Sequence, residues 1–102
     1  MSTILHRLFG PSEDLKAIYQ HGAIVLDVRT SNEFRSGHIE GAVHIPLDQL
    51  ARRTAELKQK NRPVIACCAS GVRSGAAKGI LIDAGIEAYN GGAWQALQRK
   101  LK

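Results

Sequence analysis

The sequence predicts an α/β fold in which a mostly parallel sheet is covered by helices on both faces. Three observations predict it. Short apolar runs at Ala23–Leu26, Ala42–Ile45 and Val64–Cys68 are bounded by turn residues and separated by stretches of helical periodicity. The first and third runs are uniformly apolar rather than alternating, which is the pattern of strands buried on both faces. The third run also passes through a short loop, with Gly71 and Arg73, into a helix-patterned segment, the strand–loop–helix order of right-handed βαβ units.

Residues 1–10 leave two readings open, an edge strand over Thr3–Phe9 or a loose arm packed by Leu5 and Phe9. Pro11-Ser12 then opens a helix with Glu13 and Asp14 in its first turn, a buried stripe of Leu15, Ile18 and Tyr19, and a stop at Gly22. Ala23–Leu26 is a strand ending in Asp27-Val28-Arg29, and Thr30-x-x-Glu33 has the form of a capping box for a short helix closed by Gly37. Ala42–Ile45 is a second strand, stopped by Pro46. Asp48 is placed to cap one helix carrying Leu47, Leu50, Thr54 and Leu57, whose Lys-Gln-Lys end suits the C-terminal dipole. Val64–Cys68 is the third strand. A helix over Ser74–Ala84 follows, with Ala77, Ile80, Leu81 and Ala84 on one face and Gly85 as its stop. Glu87–Asn90 reads as a fourth strand broken by Gly91-Gly92, and Trp94, Leu97 and Leu101 mark a final helix.

Sites in parallel sheets lie beyond the carboxyl ends of the strands, and Asp27, Cys68 and Gly91 all fall at such ends. The stretch from Cys68 to Ser74 is the one with chemistry in it. A tight loop running into a helix N-terminus points successive backbone N–H groups into a small concavity, with the positive end of the helix dipole beneath it. A cysteine at its rim should ionise below the free value of about 8.5. Gly71 lets the backbone turn without a Cβ clash, and Arg73 adds a permanent cation with a forked donor set. Free cysteine is commonly just a buried core residue. The nest, Gly71 and Arg73 favour a nucleophile at Cys68. Cys67, one residue earlier, should point to the opposite face and pack as core. Arg29 and Glu33 read as a structural pair bracing the strand-to-helix turn. Asp27 has two readings, a hydrogen-bond partner for loop amides or an anchor of the turn, and His38 reads as scaffold.

The chain has 102 residues, enough for one domain over 1–102 burying about 60–70% of its unfolded surface. It is 44% hydrophobic and 23% charged, an ordinary globular balance. Fourteen Lys+Arg against nine Asp+Glu give a net charge of +5. The basic residues are scattered without aromatic interleaving, which suits small anions better than nucleic acid. Adjacent Cys67 and Cys68 cannot staple distant segments, and no stretch approaches the about 20 apolar residues of a membrane span. The N-terminal residues lack a signal-peptide pattern, so a cytoplasmic chain with reduced thiols is expected. Four histidines and two cysteines show no metal-ligand spacing, and no cofactor is expected.

A set of short motifs, in order, extends this reading. Asp27-Val28-Arg29, Glu33-Phe34, Gly37-His38-Ile39-x-Gly41-Ala42, Ile45-Pro46, Cys68-Ala69-Ser70-Gly71-Val72-Arg73-Ser74 and Gly91-Gly92-x-Trp94 run from about Leu26 to Trp94. In this the chain closely resembles the single-domain rhodaneses, a family of sulfurtransferases. The resemblance implies a five-stranded parallel sheet flanked by helices, with a first short strand within residues 1–9. It implies that Cys68 accepts a sulfane sulfur as a persulfide and that the amides of Ala69, Ser70, Gly71, Val72, Arg73 and Ser74 cradle it, with Asp27 and Arg29 as supporting residues. The sequence departs from the family at His44, where relatives often carry Asn, and at Cys67, an unusual neighbour for the nucleophile.

The expected reaction is ping-pong transfer from thiosulfate or a similar small anionic donor to a thiophilic acceptor, a small or protein thiol, by a monomer. Two alternatives compete. Counted from Cys67, five residues precede Arg73, the register of Cys-dependent phosphatases of the same fold. The third class is a sulfur-carrier or binding module that hands persulfide to one partner.

Overall fold

The computed structural model describes residues 14–102. The elements are α1 (Leu15–Gln20), β1 (Ile24–Asp27), α2 (Ser31–Arg35), β2 (Val43–His44), α3 (Leu47–Leu50), α4 (Thr54–Lys58), β3 (Val64–Cys68), α5 (Val72–Asp83), β4 (Ala88–Ala93) and α6 (Trp94–Leu101). The strands form a parallel sheet in the order β2-β1-β3-β4. Among the described residues the sheet has four strands, and the fifth, implied within residues 1–9, lies outside them.

Every residue of β1 and β3 is buried, because both faces of these central strands are covered. On one face Leu26, Ile45, Leu50, Leu57, Val64 and Cys68 pack with Ala77 and Leu81 of α5. On the other, Val25, Ile65 and Cys67 pack with Leu15 and Ile18 of α1 and Leu97 of α6. The alternation of β3 thus sends its two cysteines into different cores.

Helix boundaries follow local chemistry. Asp14 caps α1, its Oδ1 accepting the Ala17 N–H at 3.1 Å, so it precedes the first turn rather than lying in it. The expected start at Pro11-Ser12 lies outside the described residues. Tyr19 is 38% exposed and does not belong to the buried stripe of Leu15 and Ile18. The capping box at Thr30 and Glu33 is present in both directions. The helix expected from Leu47 to Leu57 is two short ones. Arg53 leaves the helical region (φ −119°, ψ 11°), and its guanidinium bridges Gln49 and Glu56 across the break. Leu50 and Leu57 still reach the same core. Asp48 does not cap: Pro46 holds the cap position, without a side-chain hydrogen bond.

Strand β4, the outer one among the described residues, continues through Gly91 and Gly92 instead of ending there. Ala66 pairs with Asn90 but Cys67 pairs with Gly92, so Gly91 is an extra residue in the ladder. A Cβ on Gly91 would lie 2.8 Å from Leu97 Cδ2 and 2.9 Å from Ile65 Cγ2, which is why a glycine takes the bulge. The bulge carries Asn90 and Gly92 to the carboxyl edge of the sheet, beside the end of β3. Among the described residues no helix is long and apolar enough to cross a membrane.

Candidate active site

Cys68 is the last residue of β3, and α5 begins four residues later at Val72 rather than at Ser74. Gly71 sits between them with φ +101°, a left-handed conformation that a side chain would strain, and a Cβ there would come 3.3 Å from Gly92 Cα. This turn folds the loop back over the sulfur. The Gly71 N–H donates to Cys68 Sγ at 3.0 Å and the Ser74 N–H at 3.4 Å, with Ser74 Oγ also 3.4 Å away. Ala69 and Ser70 stand at the exposed lip, Val72 is 78% exposed, and Ser74 is fully buried beneath them.

Two opposed effects act on Cys68. Burial pushes its thiol up, but the hydroxyl of Ser74, free to turn its proton to a thiolate, and the Ser74, Ser70 and Gly71 amides together outweigh it, and the pKa falls below the ordinary thiol value. Cys67 is the reverse case. Burial first, then the nearby Asp27 carboxylate, pushes its thiol up to about 12, and no nest donor reaches it. Its sulfur lies among Leu15, Ile18 and Ile65, in the core opposite the loop. The phosphatase register counted from Cys67 is therefore not the one the fold presents.

The supporting residues are arranged differently from their sequence reading. Fully buried Asp27 spends both carboxylate oxygens on Arg29, at 2.7 to 3.1 Å, and also accepts the Arg29 N–H, so it anchors the turn. Arg29 reaches on to the carbonyls of Glu33 (3.2 Å) and Gly37 (2.7 Å), and its guanidinium lies 4.9 Å over the Trp94 ring. The expected Arg29–Glu33 side-chain pair does not form. Glu33 instead forks with Arg73, at 2.8 and 2.9 Å. The Arg73 guanidinium and then the Thr30 amide hold the Glu33 carboxyl at about 2. Glu33, the third helical residue of the α2 capping box, thus fixes the guanidinium of Arg73.

Sequence reasoning missed Asn90. Its Oδ1 accepts from Ser74 Oγ at 2.7 Å and from the Gly92 N–H at 2.9 Å, and its Nδ2 donates to the Gly71 carbonyl at 3.1 Å. The available signal was an Asn placed just before Gly-Gly, a residue type that bonds to nearby backbone in turns and bulges. His44, whose ring stacks on Phe34 at 4.3 Å between centroids, bonds the Arg29 carbonyl at 2.8 Å and so braces the turn. Among the described residues no three His, Cys, Asp or Glu side chains converge as metal ligands would. A cleft of 360 Å³ lined by Leu57, Lys58, Arg62 and Ile86 lies at the start of β3 and β4, at the opposite edge of the sheet from Cys68.

The model of the Rhodanese-like domain matches residues 11–99. The chain belongs to the rhodanese-like family. Among its relatives, an uncharacterized protein of Bacillus subtilis, YqhL, is 43% identical over 76% of this chain and 61% of its own length, so the chain spans about three fifths of that relative. The thiosulfate sulfurtransferase GlpE of Pseudomonas fluorescens is 35% identical over 74% of this chain and 69% of its own. A solved rhodanese with anions from Escherichia coli superposes with a TM-score of 0.68 at 32% identity, covering 74% of this chain and 91% of that one. Cys68 closes β3 where the loop to α5 begins, and Cys67, one residue earlier, faces the opposite core.

Proposed function

We propose that this rhodanese domain moves a sulfane sulfur from thiosulfate, or a donor like it, to a thiophilic acceptor through a persulfide on Cys68. The observation that carries the reading is the Cys68 sulfur itself, buried at the end of a central strand and turned into backbone N–H groups. The Cys68 thiolate attacks the outer sulfur of thiosulfate. A new S–S bond forms, the bond to the sulfonyl sulfur breaks, and sulfite leaves with the electron pair while the negative charge moves to the outer sulfur. An acceptor, cyanide or a thiolate, then takes that outer sulfur and the S–S pair returns to Cys68. Sulfite is a good leaving group in the first step, and in the second the leaving group is the Cys68 thiolate, which the loop amides stabilise, so neither step needs a general acid. The Gly71 and Ser74 amides donate to Sγ, and the remaining amides from Ala69 to Arg73 are expected to meet the charge when it moves to the outer sulfur. The expected partners are a small anionic sulfur donor and a small or protein thiol.

Arg73 has two candidate jobs, and two donors separate them. If its charge, shared with Glu33, helps draw in the donor, Arg73→Ala lowers kcat/KM for thiosulfate by about tenfold, one lost charged contact, but less for a neutral polysulfane. Glu33→Gln, which frees the guanidinium, then raises thiosulfate use. Steady-state rates with both donors check this. Equal losses in Arg73→Ala for both donors would show that Arg73 only holds the loop in shape. The reading as a whole is tested by the thiosulfate:cyanide assay, in which parallel double-reciprocal lines are expected and no thiocyanate at all would overturn it.

A further inference from the structure

The Ser74 hydroxyl has one proton and two neighbours able to take it. Asn90 Oδ1 lies 2.7 Å from Ser74 Oγ, and Cys68 Sγ lies 3.4 Å away. The Asn90 amide cannot turn over, because its Oδ1 accepts the Gly92 N–H at 2.9 Å while its Nδ2 donates to the Gly71 carbonyl at 3.1 Å. A flip would set donor against donor and acceptor against acceptor. Its Oδ1 is therefore an acceptor, and the short bond is Ser74 donating to Asn90. What Ser74 then offers Cys68 is a lone pair, which suits a thiol S–H and opposes a thiolate.

We propose that Asn90 is a positioning residue that acts through Ser74, competing with Cys68 for the single hydroxyl proton and so setting how readily the sulfur ionises. The inference rests on the reading of Cys68 as the nucleophile. In the resting thiol the chain runs from the Cys68 S–H to Ser74 Oγ and from the Ser74 O–H to Asn90 Oδ1. When charge sits on Sγ, the hydroxyl turns from Asn90 to the sulfur and adds a donor to the fixed amides of Gly71 and Ser74. Charge sits there twice per turnover, before attack on the donor and again when the acceptor removes the outer sulfur and the bonding pair returns to Sγ. In the persulfide the charge is on the outer sulfur, and the hydroxyl returns to Asn90. The thiol proton passes to solvent when Sγ first ionises, and after that no proton is gained or lost by the protein during transfer. Among the described residues the charged and titratable groups around the sulfur are Arg73 at the head of α5 with its partner Glu33 of α2, Cys67 beside it on β3, and the Asp27–Arg29 pair at the end of β1. They are the same in every variant below.

The test is the pH titration of thiolate absorbance, which reports Cys68 because Cys67 stays protonated to about 12. It is made on wild type, Asn90→Ala, Ser74→Ala and the double variant. Asn90→Ala should lower the Cys68 midpoint by about one pH unit, the worth of one charge-assisted hydrogen bond, when Ser74 is present. In the Ser74→Ala background the same change should move it by under about 0.3 unit, within the error of independent sites. Asn90→Asp, a firmer acceptor, should raise the midpoint more with Ser74 than without it, and this comparison decides the matter if Asn90→Ala does not fold. An Asn90 effect of equal size in both backgrounds, or none in either, would overturn the proposal, since Asn90 would then act through loop shape or not at all. The titration uses no sulfur donor. Failure to take up sulfur from thiosulfate would thus overturn the transfer reading, whereas equal shifts in a protein that does take it up would overturn only the role of Asn90.

Discussion

Cys68→Ser is expected to abolish thiosulfate:cyanide transfer, a loss of at least about 10³-fold, while Cys67→Ser keeps most of it. The two residues are neighbours in sequence, and the contrast comes from the direction each side chain takes. Cys68 Sγ receives the Gly71 and Ser74 amides, whereas Cys67 lies among Leu15, Ile18 and Ile65 and is held protonated to about 12. A serine at position 68 would not ionise in the nest and could not carry a sulfane sulfur. A serine at position 67 puts a hydroxyl into an apolar core at a cost of about 1–3 kcal/mol, so that variant should melt earlier but work when folded. Both variants should be assayed for transfer and for aryl phosphate hydrolysis. Phosphatase turnover lost in Cys67→Ser and kept in Cys68→Ser would reverse the assignment.

The largest loss of stability is expected from Asp27→Ala, about 3–5 kcal/mol in denaturant unfolding. Arg29 is 4% exposed, and among the described residues Asp27 is the one carboxylate within hydrogen-bond reach of its charge. Removing that carboxylate leaves a guanidinium buried without a counter-charge. The damage should spread, because Arg29 also ties the Glu33 and Gly37 carbonyls, and Glu33 in turn fixes Arg73. Persulfide formation per folded molecule should stay within a few-fold of wild type, since Asp27 spends its bonds on Arg29 and not on the loop. A stability loss under about 1 kcal/mol would mean that the guanidinium is solvated after all. A collapse of activity in folded protein would move Asp27 from anchor to the site.

Elements marked by strong local chemistry were legible in the sequence. Val64–Cys68 is apolar throughout because β3 is central, and Thr30 with Glu33 announces its own capping box. The Cys68-to-Ser74 loop was legible because a strand end, a glycine and a helix start coincide there. What the sequence hid depends on partners far away along the chain. The partner of Glu33 is Arg73, forty residues on, and no local spacing distinguishes that pairing from the nearer one with Arg29. Gly91-Gly92 looks like a break because glycine usually is one. Its role as a bulge is set by Leu97 and Ile65 crowding against it. The break between α3 and α4 was hidden for a related reason, since Leu50 and Leu57 reach the same core whether the helix is continuous or not. Asn90 was missed because its value lies in a geometry that only the bulge creates.

The central claim, that Cys68 takes up a sulfane sulfur, is tested most directly by the intact mass of the protein after incubation with thiosulfate. Wild type and Cys67→Ser should each gain the mass of one sulfur atom, lost again on treatment with cyanide or dithiothreitol, and Cys68→Ser should gain nothing. An unchanged wild-type mass across a range of sulfur donors, or a gain that persists in Cys68→Ser, would contradict it.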